Sequence, residues 1–230
     1  MATEKLHQSE RLVSAQEMRE IDAFTINEMG VPSAVLMERA ALACVTRLER
    51  GDFDLLHAVC LCGVGNNGGD GMAIARLLHL AGRKATIVLV GDEDHLSMDA
   101  MQQLVIAENY RVPVVRYQQG CLEQLGATTF VDALFGVGLS RPLAGDALAC
   151  VKEAKALVTE SSQENDCSPV SILAVDIPSG ISADTGEVLG AALAAQATVT
   201  FAYNKIGLTS GSGPSLAGEL TVADIGVYDR

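Results

Sequence analysis

Apolar residues Met18, Ile21, Ile26 and Met29 recur at helical spacing near the start of the chain. Ser14 and Glu17 precede them in a capping-box pattern, which predicts the start of a first helix. Gly30-Val31-Pro32 breaks that helix, and Ser33 is the expected cap of a second one carrying Val35, Leu36, Met37, Ala40 and Leu42. From residue 55 onward the pattern changes to short, unbroken apolar runs. Residues 55–62, 85–90, 112–117, 128–132, 172–175 and 198–203 read as strands, with 220–222 as a last one. Helical patterns separate them at 70–81, from Ser97 through Met101, Leu104 and Ile106, and near 143–159. Residues 1–12 read as a flexible leader, and the polar stretch 160–169, with Pro169, as a surface loop. Strands and helices alternating at the spacing of βαβ units predict one α/β domain over residues 1–230, with a doubly wound sheet and a parallel centre.

Composition sharpens this picture. Hydrophobic residues make up 49% of the chain while aromatics make up 4% and Trp is absent, so the core is aliphatic, as buried parallel strands require. A net charge of −13 disfavours a nucleic-acid surface. Six cysteines, Cys44, Cys60, Cys62, Cys121, Cys150 and Cys167, form no C-x-x-C pair, and the four histidines lack zinc spacing. They are expected to be reduced and buried, with Cys60 and Cys62 on one face of a strand. No signal-peptide pattern and no apolar run of about 20 residues is present. The expectation is a cytoplasmic protein with no membrane partner.

Candidate chemistry lies at three loops that each follow an apolar strand. The first, Gly63-Val64-Gly65-Asn66-Asn67-Gly68-Gly69-Asp70-Gly71, holds five glycines in nine residues. Glycines there permit unusual backbone conformations and close approach of a ligand. The helix start that follows offers free N–H groups to an anion. Gly63, Gly65 and Gly68 fit the loose G-x-G-x-x-G pattern, but no Lys-Ser or Lys-Thr follows, which excludes a Walker loop. Asn66, Asn67 and Asp70 add side-chain oxygens suited to a cation or to hydroxyl groups. The second loop runs over 132–141, from Asp132 through Gly136-Val137-Gly138-Leu139-Ser140-Arg141, where Arg141 can pair with phosphate. The third, over 176–186, begins Asp176-Ile177-Pro178-Ser179-Gly180. Ligands of open α/β sheets bind beyond the carboxyl ends of the strands, so the three loops are expected to share one crevice.

At these loops the chain resembles the NAD(P)H-hydrate epimerases, the YjeF N-terminal domain family. The resemblance is carried by Leu36-Met37-Glu38-Arg39-Ala40, Gly65-Asn66-Asn67-Gly68-Gly69-Asp70-Gly71, Asp132-Ala133-Leu134-Phe135-Gly136, Val175-Asp176-Ile177-Pro178-Ser179-Gly180, Thr198-Val199-Thr200-Phe201 and Lys205-Ile206-Gly207-Leu208. It implies a Rossmann-like three-layer α/β/α sandwich with a mainly parallel central sheet. It implies an isomerase of nicotinamide nucleotide repair that interconverts the R and S hydrates of NADH and NADPH. One potassium ion per subunit is implied, on Asn67, Asp132 and Ser179, whose hard oxygens suit it. The implied hydrate-binding positions are Asn66, Asn67, Gly68, Gly69 and Asp70, then Gly136, Val137, Gly138, Leu139, Ser140, Arg141 and Pro142, and Asp176. A homodimer and a functional link to a separate hydrate dehydratase are also implied. In many bacterial members the two activities are fused, and a chain ending at Arg230 is expected to lack the second.

Epimerisation requires the ring nitrogen to help expel the hydroxyl and water to return on the opposite face. A proton must be given and another taken. Asp176 is the first candidate for that work and Lys205 the second. The chain departs from the family pattern at Val64 (usually Pro), Val137 (often Thr), Asn204 (commonly Pro) and Arg39-Ala40-Ala41 (often Asn-Ala-Gly). Two rival readings are a non-catalytic nucleotide-binding or interaction scaffold of the same fold and an NAD(P)-dependent oxidoreductase. The scaffold has no need of a polar pocket. The oxidoreductase lacks its ribose-binding acid about 20 residues past a strict fingerprint.

Overall fold

The computed structural model describes residues 11–163 and 169–228. Seven strands form the central sheet: β2 (Ala58–Cys62), β3 (Ala85–Leu89), β4 (Val114–Arg116), β5 (Thr129–Ala133), β6 (Ser171–Val175), β7 (Ala197–Phe201) and β9 (Glu219–Ala223). Their order is β4-β3-β2-β5-β6-β7-β9, and every neighbouring pair is parallel. The chain winds outward from β2 to β4, then returns beside β2 and winds the other way. The topological switch point therefore lies between β2 and β5, where a crevice opens beyond the strand ends.

Alternate residues of each central strand feed two cores, as strand geometry dictates. Ala58, Cys60 and Cys62 of β2 face one side with α1 (Ala15–Asn27), α2 (Ser33–Leu48), α3 (Asn66–Leu80) and α4 (Met98–Asn109). Val59 and Leu61 face the other side, under α5 (Cys121–Leu125) and α6 (Gly145–Ser161). This is the expected three-layer sandwich. Two short helices, α7 (Ile206–Thr209) and α8 (Gly213–Leu216), link β7 to β9. Among the described residues no helix is long and apolar enough to cross a membrane.

Four expectations need correction. Leu12 is not leader: with Val13 it forms β1 (Leu12–Val13), parallel to β8 (Asn204–Lys205). Residues 1–10 lie outside the described residues. Ser14 does close the predicted capping box with Glu17. Ser33 is the first residue of α2 rather than its cap, which falls on Pro32, and its hydroxyl donates instead to Asp99 Oδ1 at 2.8 Å. The third correction concerns the glycine run: α3 begins at Asn66, four residues earlier than the pattern predicts.

The fourth concerns why the glycines are there. None of the five in 63–71 has a positive φ, so unusual backbone conformation is not their role. A Cβ on Gly68 would lie 1.8 Å from the Gly63 carbonyl oxygen, and one on Gly71 would meet Ala133 Cβ at 2.5 Å and Cys62 Sγ at 2.8 Å. They let the first turns of α3 press against the ends of β2 and β5.

Cys44, Cys60, Cys62 and Cys150 are buried free thiols and Cys121 is half-buried; Cys167 lies outside the described residues. Burial pushes the Cys60 thiol up to about 12 and Cys44 and Cys62 well above the ordinary value, so none of the three supplies a thiolate. The sequence pattern did not reveal Arg47, which is buried and bonds Asp52 bidentately at 2.7 and 2.8 Å and Glu219 at 2.9 Å, tying α2 to β9.

Candidate active site

The switch-point crevice is a cleft of about 530 Å³, within the usual range for small-molecule sites. Its walls come from α1, α2, the start of α3, the segment 134–139, Asp176 and Lys205.

Asp176 follows β6 directly and adopts a left-handed φ of 68°, which Asp tolerates better than most residues. That turn brings its carboxyl to Lys205. Lys205 Nζ donates to Asp176 Oδ1 at 2.6 Å, to Thr200 Oγ1 at 2.8 Å and to the Phe201 carbonyl at 2.8 Å. Thr200 Oγ1 also lies 3.2 Å from Asp176 Oδ1, and the Val137 N–H donates to Asp176 Oδ2 at 3.3 Å. Lys205 is 1% exposed, and its three ammonium donors have three acceptors. Its shortest contact is with Asp176, which it holds in the cleft wall beside it. The β1–β8 pairing, with Val13 opposite Lys205, fixes the backbone on which it stands.

Asp132, next to last in β5, is fully buried. Its Oδ2 accepts from the Ser179 N–H at 2.7 Å and its Oδ1 from Ser179 Oγ at 2.5 Å and the Leu134 N–H at 3.4 Å. Desolvation nevertheless lifts its carboxyl to about 6, because those hydrogen bonds only partly offset it. Ser179 Oγ in turn accepts from the Phe135 N–H at 3.0 Å. The next residue, Gly136, meets the other two loops. A Cβ there would lie 2.8 Å from Asp176 Oδ2 and 3.1 Å from Asn67 Oδ1. Segment 134–136 is therefore the hub around which all three loops gather. Asn67 Nδ2 is buried there without a hydrogen-bond partner among the described residues, a donor whose satisfaction calls for a ligand or water.

Gly136→Ala tests this crowding. The methyl would occupy space between two polar side-chain tips, not backbone. The expected result is at least a tenfold loss of affinity for a ligand of the cleft, on the order of 1.4 kcal/mol, with a melting temperature close to wild type. Calorimetric titration and a thermal melt check both halves.

Of the remaining candidates, Asn66, Asp70, Val137, Gly138 and Leu139 line the cleft with Asn67, Gly136 and Asp176. Gly68 and Gly69 are buried in packing, Gly69 against the Met37 side chain. Ser140, Arg141 and Pro142 are exposed and stand outside the cleft wall. Sequence reasoning missed Arg19 and Asp22 of α1 and Asp99 of α4, all in the wall. Arg19 Nη1 donates to the Val137 carbonyl at 3.3 Å. Asp22 had a readable signal: it lies four residues after Met18 and four before Ile26, so an acid sits on the apolar face of the helix. Burial, then the negative charge of Asp176, lift Asp22 to about 6, while Lys205 opposes the rise. Asp70 is held well above the carboxylate range by desolvation and by Asp176, Asp22 and Asp99.

Comparison with known proteins places this geometry. The family described as YjeF-related protein N-terminus matches residues 33–207, which contain all three loops and Lys205. A protein of Oenococcus oeni called NAD(P)H-hydrate epimerase is 46% identical over 219 residues, 94% of this chain and 97% of that protein. One of Limosilactobacillus reuteri with the same name is 46% identical over 223 residues, 96% and 98% of the two chains. The crystal structure of yeast ynu0 superimposes with a TM-score of 0.73 at 22% identity, over 92% of this chain and 87% of that one, a likeness of fold. The chain is a member of the YjeF-related N-terminal family.

Proposed function

We propose that this protein is an NAD(P)H-hydrate epimerase, an isomerase that interconverts the R and S hydrates of NADH and NADPH in nicotinamide nucleotide repair. The observation that carries this reading is the Asp176 carboxyl, clamped by Lys205 at the mouth of the switch-point cleft. It lies in a family whose near relatives bear that name. The hydrate carries a hydroxyl on a ring carbon bonded to nitrogen. Its lone pair expels the hydroxyl and leaves a planar iminium-like centre, which water re-enters from the other face. The reaction needs proton transfer and no hydride acceptor. Asp176 exchanges protons with the leaving or entering oxygen. Asn66, Asp70 and the N–H groups of the 136–139 loop hold the nucleotide, while α1 and α2 wall it from solvent.

Potassium fits the hub. Asn67, Asp132 and Ser179 offer hard oxygens, and Asp132 is a buried carboxylate that no side-chain cation offsets directly. These three residues would hold the ion, whose positive charge would order the loops. The reading extends to a cytoplasmic homodimer working beside a separate hydrate dehydratase that consumes one epimer.

Adding protein to R-hydrate is expected to give the R and S mixture by proton NMR, with solvent ¹⁸O entering the hydroxyl at the same rate. Replacing potassium by lithium is expected to lower both the melting temperature and this rate. A hydrate that raises the melting temperature yet stays R would assign the scaffold reading instead.

A further inference from the structure

We infer that Asp22 is a second proton-transfer residue of this site, serving the face of the substrate ring that Asp176 does not. The inference rests on the epimerase reading above. Inversion by loss and return of water requires proton exchange on both faces of a planar centre. A single carboxyl could serve both only by swinging across the ring. Asp176 is not free to swing: Lys205 and Thr200 hold Oδ1, the Val137 N–H holds Oδ2, and the backbone beneath is in its left-handed turn. A second group on another wall is needed.

The other groups facing the cleft are excluded in turn. Lys205 has all three donors engaged. Arg19 is permanently charged and bonds the Val137 carbonyl. Asp99 Oδ1 accepts from Ser33. Asp70, desolvated and surrounded by Asp176, Asp22 and Asp99, is held well above the carboxylate range and is a poor base. Asp22 remains, with no side-chain hydrogen bond among the described residues and with Asp176, Lys205 and Asp70 as its charged or acidic neighbours.

Its placement is built rather than incidental. β1 pairs with β8 immediately before α1, so the helix starts beside Lys205. Asp184 Oδ1, on the Asp176 loop, accepts from the Ala15 N–H at 2.7 Å. Arg19 then ties the next turn of the helix to the Val137 loop. One pairing with β8 and two contacts with the Asp176 and Val137 loops thus fix the helix that puts Asp22 in the cleft wall. Burial pushes Asp22 up to about 6, while Asp176 beside it is ion-paired with Lys205, so the two carboxyls stand in different environments.

In one direction neutral Asp22 gives its proton to the departing hydroxyl, which leaves as water when the carbon–oxygen bond breaks. The Asp176 carboxylate takes a proton from the entering water as the new carbon–oxygen bond forms. Solvent reprotonates Asp22 and deprotonates Asp176, so no net proton is consumed. In the other direction the two residues exchange roles.

The test compares wild type, Asp22→Asn and Asp22→Glu by NMR epimerisation over about pH 5 to 9. Wild-type activity is expected to fall as pH rises and Asp22 loses its proton. Asp22→Asn is expected to lower kcat by roughly 100-fold or more with KM within about threefold, to abolish that alkaline limb, and to leave Glu as a partial rescue. Its melting temperature should rise at pH 8, since a desolvated charge has been removed. A wild type that does not interconvert the hydrates sinks the epimerase reading itself. An active wild type with an undiminished Asn variant, or with no alkaline limb, overturns Asp22 alone. A wild type without an alkaline limb overturns Asp22 even where the Asn variant fails to fold.

Discussion

Asp176→Asn is expected to lower kcat for hydrate epimerisation by roughly 10²- to 10⁴-fold, the usual contribution of a positioned acid–base group. The substitution is informative because it changes charge and proton capacity while keeping shape. Asn tolerates the left-handed φ of 68°, so the turn after β6 survives. Its amide oxygen can still accept from Lys205. What disappears is a group that takes a proton from water. KM is expected to change little, because nucleotide contacts from the Gly136 loop and the start of α3 remain. NMR epimerisation with ¹⁸O incorporation measures both constants. Undiminished turnover would remove Asp176 from the chemistry and leave it a purely structural clamp.

Lys205→Met carries the largest expected stability effect. The pair is buried, with Lys205 1% and Asp176 7% exposed. Methionine fills the volume of the stem but removes the charge that permits an ionised carboxylate there. Breaking a buried pair from one side typically costs about 3–5 kcal/mol, which for a chain of this size lowers the melting temperature by roughly 6–20 °C. Activity should fall as well, because the carboxyl loses the contact that holds it in place. The double variant Asp176→Asn, Lys205→Met should recover part of the lost stability, since no charge is then left unpaired. Thermal melts of the four proteins give the coupling. Additive losses would show that the 2.6 Å contact contributes little.

Much of the architecture was legible because buried parallel strands announce themselves. Residues such as 85–89 or 197–201 are apolar or β-branched without a break, and both strands are wholly buried. Boundaries shifted by one to three residues where apolar residues continue past the last ladder partner, as at Leu55 and Val112. The start of α3 was misjudged for a different reason. Glycine is read as a helix breaker, yet Gly68 and Gly71 sit inside the helix because its first turns touch β2 and β5 too closely for any side chain. No local pattern distinguishes a glycine chosen for close approach from one chosen for a turn. The same holds for Arg47, whose burial depends on Glu219 arriving from the far end of the chain.

The site divides along a similar line. Asp132, Asp176 and Ser179 were visible because strand ends in an open sheet point at ligands. Arg19 was hidden inside a helix that scans as an ordinary amphipathic surface element, Asp22 showed only as an acid on its apolar face, and the docking of that helix over the cleft gives both their place. Lys205 was visible as a residue but not as the clamp on Asp176.

The order of apolar runs and helices by itself determined the doubly wound sheet, since strands that must bury both faces leave few alternatives. The residue types at the three strand ends determined that polar chemistry gathers at one edge. Only the tertiary structure decided which of those groups are free to act. That depends on which donors and charges meet each carboxyl, and those partners come from segments up to 169 residues apart, as with Asp184 and Ala15. Desolvation and pairing are properties of the assembled cleft, and no single stretch of chain contains them.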